Sequence, residues 1–457
     1  MTTVAVIGGG LAGITAALRC ADAGATVTLF EGRPRLGGLT HSFRRGDLDV
    51  DNGQHVFLRC CTAYLGLLDR LGVTDRVTIQ PRLDIGIRAP GAKPAALRRT
   101  GLRAPGHLAG SLLRYSPLSL RERLRFVPAA LALRRVDPAA PATDGQSFGG
   151  WLTAHGQSRR AIETLWDLVG VATLNAKAGD ASLAPAATVF QVGLLTDASA
   201  ADIGWSLVPL GALHGEAART ALTGAGVDVR TGTKVEAIER AGAAWTVRGD
   251  RYDQVVVAVP PDVAERLLPA GAVPYEPGWA GRLGSSPIVN VHVIYDRRVL
   301  DRPFVAAIDS PLQWVFDRTE QSGLASGQYI AVSLSAADDL IDVPVATLRA
   351  MMLPALAALL PGAGDARVLD FFVTRERHAT FRPAPGTGGF RPPAATALPG
   401  LWLAGAWTAT GWPATMEGAV RSGDAAAHGV LSQPAAGNTS GTSDGHSVRS
   451  TLDGVAT

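Results

Sequence analysis

Apolar residues occur along this chain in three textures: short unbroken runs, runs that alternate with polar residues, and sets spaced by three or four. The first unbroken run, Val4 to Ile7, is what a strand buried on both faces requires, and it leads directly into Gly8-x-Gly10-x-x-Gly13 and the helix-forming run Leu11 to Ala23. A second apolar strand, Val27 to Phe30, ends on Glu31. Helical spacing continues at Tyr64, Leu67, Leu68 and Leu71 within Val56 to Gly72, where Asp51 or Asn52 would cap, and again over Phe148 to Asn175. Gly226 to Glu239, Ala244 to Arg248 and Gln254 to Val259 predict strands, stopped by Pro260-Pro261. Ile288 to Ile294, Trp314 to Phe316, Tyr329 to Leu334 and Val368 to Val373 predict a second sheet, with one helix over Val345 to Leu360. Leu401 to Gly405 starts a last strand, loop and helix, and beyond about Ser432 the chain has almost nothing to bury, as in a disordered tail.

Each glycine of the first turn has its own physical task. Gly8 turns the chain, Gly10 admits a close backbone approach to a pyrophosphate, and Gly13 lets the helix lie on the strand, its positive end facing the phosphates. Leu11 and Ala12 share that helix start. Glu31, at the end of the second strand, can accept from a ribose diol and would repel a 2′-phosphate, so FAD or NAD is expected rather than NADP. Arg33 and the pair Gly37-Gly38 follow, a second close approach suited to the flavin half of a longer cofactor. This spacing resembles the extended fingerprint of the glutathione-reductase-like flavoproteins, in the branch of amine oxidases and phytoene desaturases. There an arginine commonly follows the glycine pair; here Leu39 does.

The resemblance implies an α/β fold with a Rossmann-like FAD-binding domain that is discontinuous, formed by residues 1–80, 206–270 and 396–431. An α+β substrate domain, residues 81–205 and 271–395, would be interleaved with it, and 432–457 would be the tail.

Composition bounds the rest. The 457 residues suffice for two packed domains, and a formal net charge of +3 without any aromatic and basic RNA motif argues against nucleic acid. Cys20, Cys60 and Cys61 have no metal-ligand spacing, so no metal is expected and reduced, buried thiols of a cytoplasmic protein are. With the glycine turn so near Met1, no signal peptide is expected ahead of the first strand, and no apolar run reaches membrane-spanning length. Between Arg82 and Arg135 stand twelve Lys or Arg residues against Asp84 and Glu122, mixed with leucines. That stretch reads either as a surface resting peripherally on the inner face of the cell membrane or as a solvated helical lid.

Four segments carry a more specific resemblance: Asp51-Asn-Gly-Gln-His55; Leu165-Trp166 with Ala172-Thr-Leu-Asn175 and Ala181-Ser182; Gln313-Trp-Val-Phe-Asp-Arg318; and Thr410 to Gly423. Together they resemble the squalene-associated FAD-dependent desaturases, understood as hydroxysqualene dehydroxylases, from about Val4 to about Val430. The resemblance implies an FAD-dependent oxidoreductase that removes the hydroxyl of hydroxysqualene to give squalene for hopanoid or related lipids, with a long apolar isoprenoid in an apolar tunnel. It places Gly8, Gly10, Gly13, Glu31, Gly37 and Gly38 on the ADP half, the Val235 backbone on adenine, and Gly53, Gln54 and His55 near the flavin. Gly405, Ala406, Trp407, Thr415, Met416 and Glu417 would close over it, although related proteins usually have aspartate where Ala406 stands. His55 or Glu417 would protonate the departing hydroxyl, with Asp51 orienting His55; a neutral imidazole shaping the site, a dipole-complementing Glu417 and a packing role for Trp407 are the plainer readings. Competing functions are a carotenoid desaturase, an amine oxidase lacking the expected Tyr-rich final segment, and a scaffold without FAD that contacts prenyl synthases.

Overall fold

The computed structural model describes residues 1–433, so the expected disordered tail lies, past Gln433, outside the described residues. Five strands form one parallel sheet in the order Asp228–Thr231, Thr26–Glu31, Thr3–Ile7, Gln254–Val257 and Leu401–Leu403. The first strand shows why these residues build it. Val4 and Val6 enter the cluster shared with the helices Leu11–Asp22 and Met416–Ser432, whereas Ala5 and Ile7 enter the opposite cluster with Trp245, Val247 and Tyr252. Both faces are covered, which is why the run carries no polar position.

The antiparallel meander Ile238–Ala241, Ala244–Val247, Asp250–Tyr252 covers that second face. Ile7, Phe30 and Val257 share one register level, with Leu403 opposite Val257, so the chain leaves four parallel strands along one edge. Ligands bind outside the carboxyl ends of such sheets.

The second sheet has seven strands in the order Val368–Thr380, Ser286–Tyr295, Gln328–Leu334, Trp314–Asp317, Phe304–Ala307, Asp84–Arg88 and Ala95–Arg98. Helix Val345–Leu359 packs Leu348, Met352 and Leu356 on one of its faces. Two expectations need correction. The start of the basic stretch is a β-hairpin, Asp84–Arg88 with Ala95–Arg98, which extends this sheet through a parallel pairing with Phe304–Ala307. Its branched residues Ile85, Ile87 and Leu97 alternate into a core, a period-two signal masked by the surrounding arginines. Val56–Leu58 is likewise a strand, paired with Ile203–Ser206, and the helix begins only at Thr62. Asp51 and Asn52 therefore cap no helix. Among the cysteines, Cys20 is buried, whereas Cys60 and Cys61 are half-buried between that strand and that helix.

One half-buried acid in the helical region yields a pH prediction. Asp167 accepts a hydrogen bond from the Ala178 N–H at 2.8 Å, yet burial pushes its carboxyl up to about 6. The native state thus holds this proton more tightly than the unfolded chain, so the penalty is absent below the ordinary carboxylate range and complete above about pH 6. Asp167→Asn keeps the acceptor and removes the charge. We expect it to raise the melting temperature at pH 8, by on the order of 1–2 kcal/mol of stability, with the gain vanishing near pH 4. Equal gains at both pH values would refute this account.

Candidate active site

The glycine turns meet as a pair. Gly8 has φ +113°, and a Cβ there would overlap the Ala258 carbonyl; a Cβ on Gly13 would overlap the carbonyl oxygen of Gly8. Gly10 differs, since a Cβ would find only the Gly38 Cα, at 3.8 Å, and otherwise open space. Gly37 donates its N–H to the Gly9 carbonyl at 2.9 Å, and Gly38, at φ +56°, is held so close that a Cβ would stand 2.9 Å from the Gly10 Cα. The first internal bond of the opening helix runs from the Ile14 N–H to the Gly10 carbonyl, and no side chain caps it. The N–H groups of Leu11, Ala12 and Gly13 are left for an anion.

Glu31 accepts from the Gly9 N–H and the Arg33 N–H, both at 2.7 Å, which fixes its carboxylate beside the first turn. The Arg33 side chain is exposed, and Leu39 lies on the rim with 43% exposure. Arg35 is half-buried instead and donates to the Gly38 carbonyl at 3.1 Å, its guanidinium lowered by burial and by Arg33. Sequence spacing pointed to Arg33; only packing separates the two. Val235 is buried where the strand Asp228–Thr231 has ended, and Lys234 before it borders Gly32. Neither backbone group of Val235 has a hydrogen-bond partner among the described residues, so both are open.

Asn52 ties this half to the next. Its amide donates to the Leu39 carbonyl at 2.8 Å and accepts from the His41 N–H at 3.1 Å, locking the turn Gly53, Gln54, His55 to the glycine pair. Asn290, fully buried under Gly53, leaves its Oδ1 without a partner among the described residues.

Asp51 does not orient His55. Its oxygens accept from the Ser42 hydroxyl at 2.6 Å, the Leu210 N–H at 2.9 Å and the Arg318 guanidinium at 2.6 Å. His55 pairs through Nδ1 with the Gly53 carbonyl at 3.1 Å, so Nδ1 carries the proton and Nε2 is available. Burial lowers its pKa, with the Gly53 carbonyl and Asp51 opposing, and the ring is neutral at pH 7.

At the far end of the chain, Gly405, at φ +141°, donates its N–H to the Ser422 hydroxyl at 2.7 Å. Thr415 caps the closing helix through the Gly418 N–H, leaving the N–H groups of Met416 and Glu417 open. The Glu417 side chain turns away and accepts from the Ala63 and Tyr64 N–H groups at 3.2 and 2.7 Å and from Arg421 at 2.7 Å. It caps helix Thr62–Arg70 and, buried there, has no path to a substrate. The Trp407 indole is buried too, tilted against Trp279 and donating to the Val259 carbonyl at 3.0 Å, so it supports the turn by packing. Sequence reading missed Arg391, whose guanidinium gathers the carbonyls of Ala406, Thr408 and Trp412 and thereby sets the loop around Ala406.

Between the paired strands Val56–Leu58 and Ile203–Ser206 and the seven-stranded sheet, a small crevice is lined by Gln54, His55, Trp205, Phe304, Phe316 and Arg318, among others. Trp205 arrives through its pairing with Val56, and its ring meets Phe304 edge-on at 5.6 Å. The motifs holding Gln54 and His55 and holding Phe316 and Arg318 were visible in the sequence; Trp205 and Phe304 carried no local signal. Trp205, Phe304 and Phe316 make much of the crevice wall aromatic.

An uncapped helix start, a carboxylate set for ribose and a second helix start across the cleft are what an extended flavin dinucleotide needs, and they make this an oxidoreductase cleft. The chain belongs to the flavin containing amine oxidoreductase family, whose profile matches residues 11–431. It is 29% identical over 442 residues to the hydroxysqualene dehydroxylase of Rhodopseudomonas palustris, covering 94% of this chain and 98% of that one. It is 23% identical, with the same coverage, to the zeta-carotene desaturase of a Synechocystis species. Among solved structures a putrescine oxidase redesigned in cofactor binding matches with TM-score 0.71 at 19% identity, covering 94% and 98% of the two chains. Cyclohexylamine oxidase from Brevibacterium oxydans matches with TM-score 0.67 at 19% identity, covering 94% and 99%. The fold is the mixed α/β architecture of these enzymes, the cofactor is FAD, and the protein is an FAD-dependent oxidoreductase. No helix among the described residues is long and apolar enough to cross a membrane.

Proposed function

We propose that the enzyme converts hydroxysqualene to squalene by reductive dehydroxylation. The observation that carries the reading is the aromatic crevice beside His55, together with full-length similarity to a hydroxysqualene dehydroxylase. Reduced FAD, when bound, supplies a hydride. The residues of this chain do the rest. The C–O bond breaks with its electron pair on oxygen, a proton makes the leaving group water, and the allylic cation left behind takes the hydride as a new C–H bond. The faces of Trp205, Phe304 and Phe316 stabilise that cation by about 0.5–2 kcal/mol each and exclude water that would trap it. Arg318 does not oppose it, because Asp51 neutralises the guanidinium within the wall.

His55 supplies the proton in this reading. Its pKa lies below the ordinary histidine value, so the imidazolium is scarce at pH 7 and strongly acidic once formed. Enzyme pre-reduced with dithionite should therefore make squalene faster as the pH falls from 7.5 toward 5.5. His55→Gln should be slower by about 100-fold and lose that slope. A variant with unchanged rate and pH profile removes His55 from the chemistry. The function itself is tested by mass spectrometry after incubation of the reduced holoenzyme with hydroxysqualene. Similarity to the zeta-carotene desaturase keeps one alternative, and new conjugated product from a carotene with oxidised enzyme, without squalene from hydroxysqualene, would establish it.

A further inference from the structure

Helix Leu120–Leu133 buries one side and leaves the other bare. Ala129, Ala130 and Leu133 pack into the helical core with Phe148, Leu152 and Trp166. Leu120, Leu124, Val127 and Leu131 are 60, 57, 50 and 42% exposed, a concentration of exposed aliphatic residues on one short element. At about 100° per residue they fall within about 60° of arc, one straight stripe along the outer face. Arg121, Arg125, Arg134 and Arg135 flank it, all exposed and none in an ion pair among the described residues. The helix's single acid, Glu122, faces away and is consumed by the Ser119 cap and the Ser158 hydroxyl.

We propose that this face is a lipid-docking surface: the helix lies in the plane of an anionic leaflet, its stripe among the acyl chains and its arginines on the headgroups. Charge decides the occupant. A second copy of the chain meeting this face across a two-fold axis would set arginines against arginines, whereas anionic headgroups complement them. The capping box that engages Glu122 also fixes the helix start, so the stripe is presented on an ordered element. The inference stands without the assignment of the substrate, since binding is read with no substrate present.

The test is cosedimentation of the FAD-loaded enzyme with vesicles of phosphatidylcholine alone or with about one-third phosphatidylglycerol. We expect binding to the anionic vesicles and at least about tenfold weaker binding to the neutral ones. Leu124→Glu with Leu131→Glu should lose the binding while the flavin spectrum and melting temperature stay as in the parent, and Arg121→Glu with Arg125→Glu should lose it through charge alone. Enzyme that stays in the supernatant with both vesicle types overturns the proposal. So does a leucine double variant that sediments like its parent, or one that merely changes from dimer to monomer, which would give the stripe to a second copy of the chain.

Discussion

Gly10→Ala will give a folded protein that purifies colourless, whereas Gly13→Ala will fail to fold properly. The two glycines stand three residues apart in one motif, and their surroundings separate them. A methyl on Gly10 meets nothing nearer than the Gly38 Cα at 3.8 Å and projects into the space between the glycine turns. That space is where a pyrophosphate must approach to reach the N–H groups of Leu11 and Ala12. Losing one or two charge-assisted hydrogen bonds there costs about 3 kcal/mol, or about 100-fold in FAD affinity. On Gly13 the same methyl overlaps a backbone oxygen, which no rotamer change relieves, so strand and helix must part. Flavin absorbance of the purified variants, with far-ultraviolet circular dichroism and a thermal melt, distinguishes the outcomes. A yellow Gly10→Ala variant with unchanged FAD affinity would contradict the assignment of this groove.

Arg318→Met should destabilise the protein by about 3–5 kcal/mol. Arg318 and Asp51 form an ion pair with side chains only 10% and 4% exposed. Removing the guanidinium strands a carboxylate that keeps only the Ser42 hydroxyl and the Leu210 N–H. The control is the double variant Asp51→Asn, Arg318→Met, which leaves no charge behind and should recover a substantial part of the loss. Denaturant midpoints for parent, both singles and the double make the cycle. A methionine variant as stable as the parent would mean that water reaches Asp51 and that the crevice wall is not dry.

These two predictions mark where sequence reading reached and where it stopped. The opening turn was legible because it is local: strand, glycines, helix and Glu31 lie within a few dozen residues, and each demands a particular backbone geometry. The closing helix was legible for the same reason. Asp51 was noticed as a polar residue beside His55, but its partners come from positions 42, 210 and 318, and no periodicity records such distances. Glu417 misled because a carboxylate in a first helical turn looks poised toward a ligand, while here it serves a different helix. The hairpin Asp84–Arg88 and Ala95–Arg98 was hidden by its charge, since arginines on the outward positions obscured the alternation that buries Ile85 and Ile87.

The strand Leu401–Leu403, hydrogen-bonded to Gln254–Val257, also has a consequence for biosynthesis. A ribosome making about 5–20 residues per second needs on the order of ten seconds to travel from one to the other. Throughout that interval the nascent nucleotide domain exposes an unfilled β edge, and the amino-terminal helix Thr62–Arg70 waits for Glu417. Messages truncated upstream of Leu401 should therefore direct the synthesis of chaperone clients and protease substrates rather than of a partly active enzyme.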